Sequence, residues 1–177
     1  MASWMVLWSR IWRIVAMSKE RMKALTLVFL RREGEVLLAM KKRGFGAGRW
    51  NGVGGKLEPG ETVEQALVRE TWEEIGVKLL SYDKVAQISF DELYNGERTT
   101  MNVTVYTSDS WEGEPTESEE MRPEWYREDE VPYDDMWPDD VYWLPMVLAE
   151  DAKIRASFTL DEHDTIVSHD VQKVAEL

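Results

Sequence analysis

The sequence predicts a single α/β or α+β sandwich, and three observations carry this prediction. One strongly determined helix follows a glycine-rich segment, strand-like runs lie on both sides of that helix, and a second helix signal occurs later in the chain. With 177 residues, 44% of them hydrophobic, the chain is long enough to bury one core. It contains no cysteine, which excludes a disulfide framework, thiol catalysis and cysteine-ligated zinc.

Residues 1–22 differ from the rest of the chain. The first acidic residue is Glu20, and before it tryptophans and aliphatic residues recur at helical spacing between arginines. The apolar run is too short to span a membrane, and its arginines argue against a secretory signal. Two interpretations stay open, a mitochondrial-type targeting segment or a dispensable extension with translation starting at Met17 or Met22. The folded domain is predicted to comprise residues 23–177.

Two β-hairpins are predicted around the main helix. Residues 24–30 and 36–40 are apolar runs joined by a polar turn, which is typical of a hairpin. Residues 85–94 and 100–107 flank Asn95-Gly96, a strong short-range hairpin signal.

The C-terminal half is predicted to contain an acidic loop at 112–120, a short strand at Trp125-Tyr126 and a second helix. This helix has Pro138 at a first-turn position and continues over 141–148, with an expected kink at Pro145. Two short strands are expected around residues 161–164.

The main helix is predicted over residues 63–75. Thr62, followed three residues later by Gln65, fits a capping box, and Gly76 stands where helices commonly end in a left-handed residue. The preceding segment 41–55 contains six glycines, but it lacks the Gly-Lys-Ser/Thr ending and strand-to-helix context of a nucleotide P-loop. Gly54 and Gly55 are better explained as backbone that approaches a metal or phosphate closely, with the Gly54 carbonyl as a candidate ligand.

The helix carries a carboxylate cluster. Glu70 and Glu74 fall within about 40° of each other on a helical wheel, in line with its apolar stripe, and Glu73 lies beside them. All three lie in the C-terminal half, where the helix dipole disfavours negative charge, so a cation is expected there. Ligands that are all oxygen indicate Mg²⁺, or Mn²⁺ as a substitute, rather than zinc. The alternative is a solvated acidic helix face.

The spacing of these residues resembles the Nudix box of the Nudix hydrolases. The matching positions are Gly55, Glu61, Arg69-Glu70, Glu73-Glu74 and Gly76-Val77. Thr71 departs from the family pattern, which has a large aliphatic residue at this packing position. The resemblance implies a mixed sheet between helices and cleavage of a nucleoside diphosphate linked to another group.

In this interpretation Glu70, Glu73 and Glu74 are metal ligands, and Glu74 or a neighbouring glutamate also positions or deprotonates the attacking water. Arg69 and Glu61 would pair and hold the loop against the helix. Glu120, in the acidic loop, is either a further metal ligand or one solvated glutamate among several.

The segment Met136-Trp137-Pro138-Asp139-Asp140 is a candidate specificity element. If Asp139 and Asp140 both face an apolar pocket, repulsion and desolvation would keep one protonated near neutral pH. One carboxyl would then donate and the other accept, which suits the edge of a purine, with Trp137 stacking on its face and Asn51 as a third reader. The alternative assigns the two aspartates to the helix N-cap and its first turn.

Several segments narrow the resemblance to the MutT-homologue oxidised-purine nucleoside triphosphatases of animals. These segments are KKRGFGAGRWNG, the box, EMRPEW and MWPDD. The resemblance implies Asn51, Asp139 and Asp140 as base readers, Lys41 near the entrance, and a pocket wall that contains Thr26, Phe45, Phe90, Met101, Met136 and Trp137. Ordinary core positions are the alternative for some of these, Phe90 especially. The implied substrates are 8-oxo-dGTP, 2-oxo-dATP and alkylated purine triphosphates such as O6-methyl-dGTP, released as monophosphate and pyrophosphate.

Other functions stay open at this point. The chain could act on another nucleoside diphosphate derivative, or bind nucleotides without turnover, although the intact glutamate set argues against a pure binder. The net charge of −13 argues against a nucleic-acid polymer as partner and leaves a small nucleoside triphosphate, held through metal. We expect a monomer without a membrane span, cytoplasmic and with a mitochondrial or nuclear pool.

Overall fold

A computed structural model describes residues 21–94 and 97–177 of the chain. The predicted extension therefore lies outside the described residues, except for its last two, which already belong to the first strand. The elements in chain order are β1 (Arg21–Arg32), β2 (Glu35–Lys41), β3 (Trp50–Asn51), α1 (Val63–Ile75), β4 (Lys78–Tyr94), β5 (Glu97–Glu112), β6 (Met121–Arg127), α2 (Asp140–Glu150), β7 (Lys153–Leu160) and β8 (Ile166–Val174).

The first predicted hairpin exists only at its base. β1 pairs with β2 at two positions, Arg31 with Val36 and Arg32 with Glu35, and the two strands then separate. β2 pairs along its length with β6 and also carries β3, whereas β1 pairs in parallel with β5. The main sheet therefore has the order β1-β5-β4-β7-β8, with both parallel and antiparallel neighbours.

The second predicted hairpin is longer than the sequence indicated. β4 and β5 pair antiparallel from Lys78 and Glu112 to Tyr94 and Glu97. The Asn95-Gly96 turn that would join them lies outside the described residues. Three register shifts in the half nearer Lys78 interrupt the alternation of side chains, and this explains why the sequence pattern is clear only from about Val85 onward.

The sheet lies between the two helices, as predicted. On β1, Val28 and Leu30 belong to an apolar cluster with Leu67 and Ile75 of α1. Phe29 points to the opposite face, where its ring meets Trp143 of α2 at 6.1 Å. Because successive strand residues face opposite sides, one apolar run serves both cores. The fold is an α+β sandwich with a mixed sheet between helices.

The helix ends show which local signals are decisive. α1 spans the predicted residues, because the Thr62 hydroxyl accepts from Gln65 N at 3.2 Å, the Gln65 side chain accepts from Thr62 N at 2.9 Å, and Gly76 is left-handed with φ of 72°. α2 begins only at Asp140, so the predicted first-turn position of Pro138 is wrong. α2 continues through Pro145 to Glu150. Within residues 21–94 and 97–177, neither helix has the length and apolarity needed to span a bilayer.

Candidate active site

The glycine segment before α1 lies along β1 and brings its backbone to the helix glutamates. Val28 and Val53 exchange two backbone hydrogen bonds, and Thr26 N donates to Gly55 O at 2.9 Å. The next contact crosses to the helix, where Gly54 N donates to Glu74 Oε2 at 3.0 Å. The loop therefore joins the free edge of β1 to α1 at the position of the carboxylates.

This close approach requires glycine at position 54 and brings Gly55 against the Glu70 side chain. A Cβ built on Gly54, whose φ is 149°, would lie 2.1 Å from Thr26 O, and one on Gly55 would lie 2.7 Å from the Glu70 carboxylate. At Gly54 the obstruction is a backbone carbonyl and leaves no space for a side chain, whereas at Gly55 it is the end of the Glu70 side chain, which would have to shift. The two glycines thus approach protein atoms closely, and their approach to a metal or phosphate stays a prediction.

Replacing Gly54 with Ala is therefore expected to destabilise the fold by several kcal/mol, because strain in the backbone adds to a collision with a strand carbonyl. Gly60→Ala is a matched control, since Gly60 also has a positive φ of 89° but nothing within 4 Å of its Cβ position. It should cost only about 1–2 kcal/mol of left-handed strain. Urea unfolding of both variants measures the difference, and equal losses would contradict the collision.

Arg69 organises the exposed side of the cluster. Its Nε and Nη2 donate to the two Glu61 carboxylate oxygens at 2.7 and 2.9 Å, so the expected Arg69–Glu61 pair is present. Its Nη1 donates to Glu70 at 2.9 Å and to Glu73 at 3.0 Å. The hydrogen bonds from Arg69, and then from Glu58 N, lower the pKa of Glu61 to about 2. Arg69 thus ties the loop before α1 to the helix and neutralises part of the acidic cluster.

Glu70 and Glu74 lie on the buried side of α1. The Glu70 side chain is 16% exposed and Glu74 is 5% exposed. Burial raises the pKa of both carboxyls, that of Glu74 to about 7. Thr71, the departure from the box pattern, is fully buried between them and donates its hydroxyl to Leu67 O at 2.7 Å. The threonine is thus accommodated in an apolar environment without an unpaired hydroxyl.

The cluster offers donors that suit a hard cation. Gly54, Glu70, Glu74 and Glu120 line one cavity, whereas Glu73 turns outward to Arg69. Arg43 Nη2 donates to Glu120 Oε1 at 2.6 Å, and this hydrogen bond lowers the pKa of the Glu120 carboxyl. Among the described residues, no three acidic or histidine side chains stand close enough to bind a metal together. Two buried carboxyls whose ionisation is disfavoured nevertheless fit a site completed by positive charge.

A cavity of about 720 Å³ extends from these glutamates to the segment before α2. It brings together most of the predicted site residues, although they come from distant parts of the chain. The predicted substrate-binding residues that line it are Lys41, Phe45, Asn51, Gly55, Phe90, Met101, Trp137, Asp139 and Asp140. The alternative assignment of Phe90 and Met101 to ordinary core is incomplete, since both contact the core and also face this cavity.

The resemblance implies Thr26 and Met136 in the pocket wall, and the structure places neither there. Leu25 and Leu27 line the cavity, so Thr26 between them on β1 faces the opposite side of the sheet. Met136 is 2% exposed and packs in the core cluster behind the wall. Its backbone carbonyl accepts from Nη1 of the cavity residue Arg49 at 3.0 Å.

Asp139 and Asp140 are both almost completely buried, 6% and 3% exposed. Asp139 Oδ2 accepts from Trp143 Nε1 at 3.1 Å, and Asp140 Oδ2 accepts from Trp137 N at 3.1 Å. Asp139 stands at the N-cap position of α2 and Asp140 in its first turn, as the alternative predicted, but the Asp139 side chain makes no helix-capping hydrogen bond. Burial raises the pKa of both carboxyls, and repulsion from Asp139 raises that of Asp140 further. Ionisation of both carboxyls at once is therefore disfavoured.

Aromatic and amide groups surround this carboxyl pair. The Trp137 ring meets Phe45 at 5.1 Å, and the Arg49 guanidinium lies 4.5 Å from its centre. Asn51 Oδ1 accepts from Gly52 N at 2.7 Å, which fixes the orientation of the amide. The aspartate end of the cavity therefore combines a ring, an oriented amide and two buried carboxyls, the set that can recognise a flat heterocycle by its edge and face.

Sequence reasoning missed the basic lining and one acidic residue. Lys41 is predicted, but Lys23, Arg43, Arg49 and Lys56 also line the cavity in a chain whose net charge is −13. Lys23 shares the parity of Leu25 and Leu27 on β1, whereas the sequence prediction placed Thr26, of the opposite parity, in the pocket wall. The cavity thus concentrates cations where an anionic ligand could bind, and it also contains the buried Glu92.

Known proteins agree with this architecture. The chain is 46% identical over 155 residues to the oxidized purine nucleoside triphosphate hydrolase of Danio rerio, covering 88% of this chain and 97% of that protein. It is also 46% identical over 149 residues to the Mus musculus enzyme of the same name, covering 84% and 94%. The crystal structure of a MutT protein from Bacillus halodurans superposes with a TM-score of 0.75 at 26% identity, covering 85% of this chain and 97% of that one.

A family model described as the NUDIX domain matches residues 20–147. This match contains β1, the glycine segment, the glutamates of α1 and the aspartate pair. It leaves out only the last three residues of α2 and the two final strands of the described fold. Together with the sandwich and the glutamate helix, the match shows that the chain belongs to the NUDIX domain family.

Proposed function

We propose that this protein hydrolyses oxidised purine nucleoside triphosphates to the monophosphate and pyrophosphate, with Mg²⁺ as cofactor. One observation carries the proposal: a single cavity joins the Glu70–Glu74 face of α1 to the buried Asp139–Asp140 pair. The first end suits a metal-bound phosphate chain, and the second suits the edge of a purine. The names of the fish and mouse relatives support the same substrate class.

At the phosphate end, Glu70, Glu73, Glu74, Glu120 and the Gly54 carbonyl are the proposed metal ligands. A bound Mg²⁺ would neutralise phosphate charge and favour ionisation of water. Glu73 must leave Arg69 to take part, since the two side chains are paired at 3.0 Å. Lys41, Arg43 and Lys56 provide further positive charge around the cavity.

Glu74 is the proposed general base. Burial raises the pKa of this carboxyl to about 7, and a bound cation would lower it, so the carboxyl would be ionised and able to accept a proton at neutral pH. The hydrogen bond from Gly54 N orients one oxygen, Oε2, and leaves Oε1 for a water molecule. The same glutamate that approaches the loop would thus take the proton from the attacking water.

At the base end, we assign reading of the purine to Asn51, Asp139 and Asp140. With one proton between the two aspartates, the pair offers one donor and one acceptor to the base. Phe45, Phe90, Met101 and Trp137 would contact its faces and rim. An oxidised purine differs from the normal base in the donors and acceptors at its edge, which is the difference that such a set can detect.

Pyrophosphate release from a nucleotide panel tests the proposal. With Mg²⁺ present, 8-oxo-dGTP and 2-oxo-dATP should be hydrolysed to monophosphates with a higher kcat/KM than dGTP and dATP, and O6-methyl-dGTP should also be a substrate. Chelation should abolish turnover, and Mn²⁺ should restore it. Preference for a dinucleoside polyphosphate or an ADP-sugar, or binding of 8-oxo-dGTP without turnover, would contradict the proposal. We further propose that the enzyme acts as a monomer in the cytoplasm and in mitochondrial or nuclear pools.

A further inference from the structure

Glu92 is a buried carboxyl group of the cavity that has no part in the proposed reaction. It is 6% exposed and lines the same cavity as Phe90 and Met101. Within the described part of the chain, its Oε1 has no hydrogen-bond partner. Buried carboxyl oxygens are rarely left unpaired in folded proteins, so an acceptor kept in a ligand cavity indicates a donor on the ligand.

The strand register fixes the direction of this side chain. Ile88, Phe90 and Glu92 alternate along β4 and all line the cavity, so they share one face of the sheet. On the neighbouring β5, Met101 pairs with Phe90 and Thr99 pairs with Glu92. On this face, the Glu92–Thr99 pair directly follows the Phe90–Met101 pair. Glu92 therefore lies beside the apolar floor that Phe90 and Met101 form, on which a planar base would lie.

Charges around Glu92 do not replace such a donor. Burial has the largest effect on the pKa of the Glu92 carboxyl and raises it. The positive charge of Lys23 lowers this pKa, and the negative charge of Asp164 raises it. Asp164 itself lies 4.0 Å from Arg49, the cation that contacts the Trp137 ring. A phosphate would be repelled by a carboxylate, whereas an amino or ring N–H group of a base would satisfy it.

We propose that Glu92 is a further specificity-determining residue whose Oε1 accepts a hydrogen bond from an N–H group of the bound purine. This inference rests on the proposed function, because it assumes that the cavity holds a purine. It adds an acceptor from the sheet to the donor and acceptor that Asp139 and Asp140 supply from the segment before α2.

Binding of reaction products tests Glu92 without requiring turnover. Affinity for 8-oxo-dGMP is measured by tryptophan fluorescence, since Trp137 lines the cavity. Glu92→Leu is expected to weaken binding about tenfold or more, and Glu92→Gln less, because its amide carbonyl still accepts. Both variants should bind deoxyribose 5-phosphate as the wild type does. Glu124→Leu, at an exposed strand position, should change neither affinity.

In steady-state kinetics, Glu92→Leu should raise KM for 8-oxo-dGTP and keep kcat within about twofold of wild type. A base contact made equally in the ground and transition states affects binding alone. Equal 8-oxo-dGMP affinity in wild type and Glu92→Leu would overturn the inference, as would an equal loss for deoxyribose 5-phosphate. These outcomes differ from failure of the proposed function, in which the wild type itself neither binds nor hydrolyses oxidised purine nucleotides.

Discussion

Replacing Glu74 with Gln is expected to lower kcat for 8-oxo-dGTP by about 10²- to 10⁴-fold, the contribution typical of a positioned general base. The amide keeps the shape of the side chain and can still accept from Gly54 N, which donates to Glu74 at 3.0 Å. It cannot take a proton from water. Single-turnover hydrolysis under saturating Mg²⁺ and nucleotide measures this loss separately from binding.

The same substitution should leave the fold intact or stabilise it. Burial raises the pKa of Glu74 to about 7, so ionising this carboxyl costs the folded protein stability as pH rises through that value. A neutral amide removes that cost, and the melting temperature of Glu74→Gln at pH 8 should be no lower than that of wild type. Glu58→Gln, at an exposed loop position, is the control and should keep full activity. Substantial turnover by Glu74→Gln would assign the base to another residue.

Asp139→Asn is expected to lower kcat/KM for 8-oxo-dGTP by about 10- to 100-fold, the cost of losing a hydrogen bond to a charged group. We assign the acceptor role to Asp139, whose Oδ2 already accepts from Trp143 Nε1 at 3.1 Å. Metal binding at the glutamate end should be unchanged. Steady-state kinetics together with Mn²⁺ titration measure the two properties, and an equal loss of both would make the aspartates structural.

We assign the donor role to Asp140, whose pKa is raised by burial and by Asp139, so Asp140→Asn should behave differently. Wild-type affinity for 8-oxo-dGMP should fall as pH rises through this raised pKa and the proton is lost. The amide introduced by Asp140→Asn donates at every pH, so this variant should bind with a flatter pH profile.

The free energy of unfolding of the wild type should also fall as pH rises. The folded state holds the proton more tightly, so the stability that Asp140 contributes is lost as pH rises above about 4. Asp135→Asn, at an exposed site nearby, should change neither profile.

Local sequence signals correctly predicted those elements whose bounds are set by residues close to them in the chain. The bounds of α1 follow from Thr62, Gln65 and Gly76, which act within one turn of the helix ends. The Arg69–Glu61 pair is likewise an interaction between a helix and the loop that enters it. By contrast, Pro138 was predicted in the first turn of α2 but lies in the turn that precedes this helix. There Asp140 Oδ2 accepts from Trp137 N, and α2 begins at Asp140.

Nonlocal pairing explains what the sequence did not predict. Nothing in residues 24–40 shows that β1 leaves β2 after two pairs and joins β5 in parallel. Without that register, the side of the sheet on which Thr26 lies could not be assigned, and the prediction for Thr26 is wrong. Glu92 was missed for the same reason: its parity with Phe90 matters only once β4 is known to form the cavity floor.

The parallel pairing of β1 with β5 also bears on the order in which the protein folds. Leu25 pairs with Val103, so the cavity floor closes only after a long intervening segment has been brought together. α1 carries its own capping signals, and its backbone hydrogen bonds join residues only four positions apart. We therefore expect α1 to become structured before the purine end of the cavity. In pulsed hydrogen exchange during refolding, amides of α1 should gain protection earlier than those of β1 and β5, and simultaneous protection would contradict this order. A nascent or partly refolded chain would then have its catalytic helix before it could discriminate one nucleotide from another.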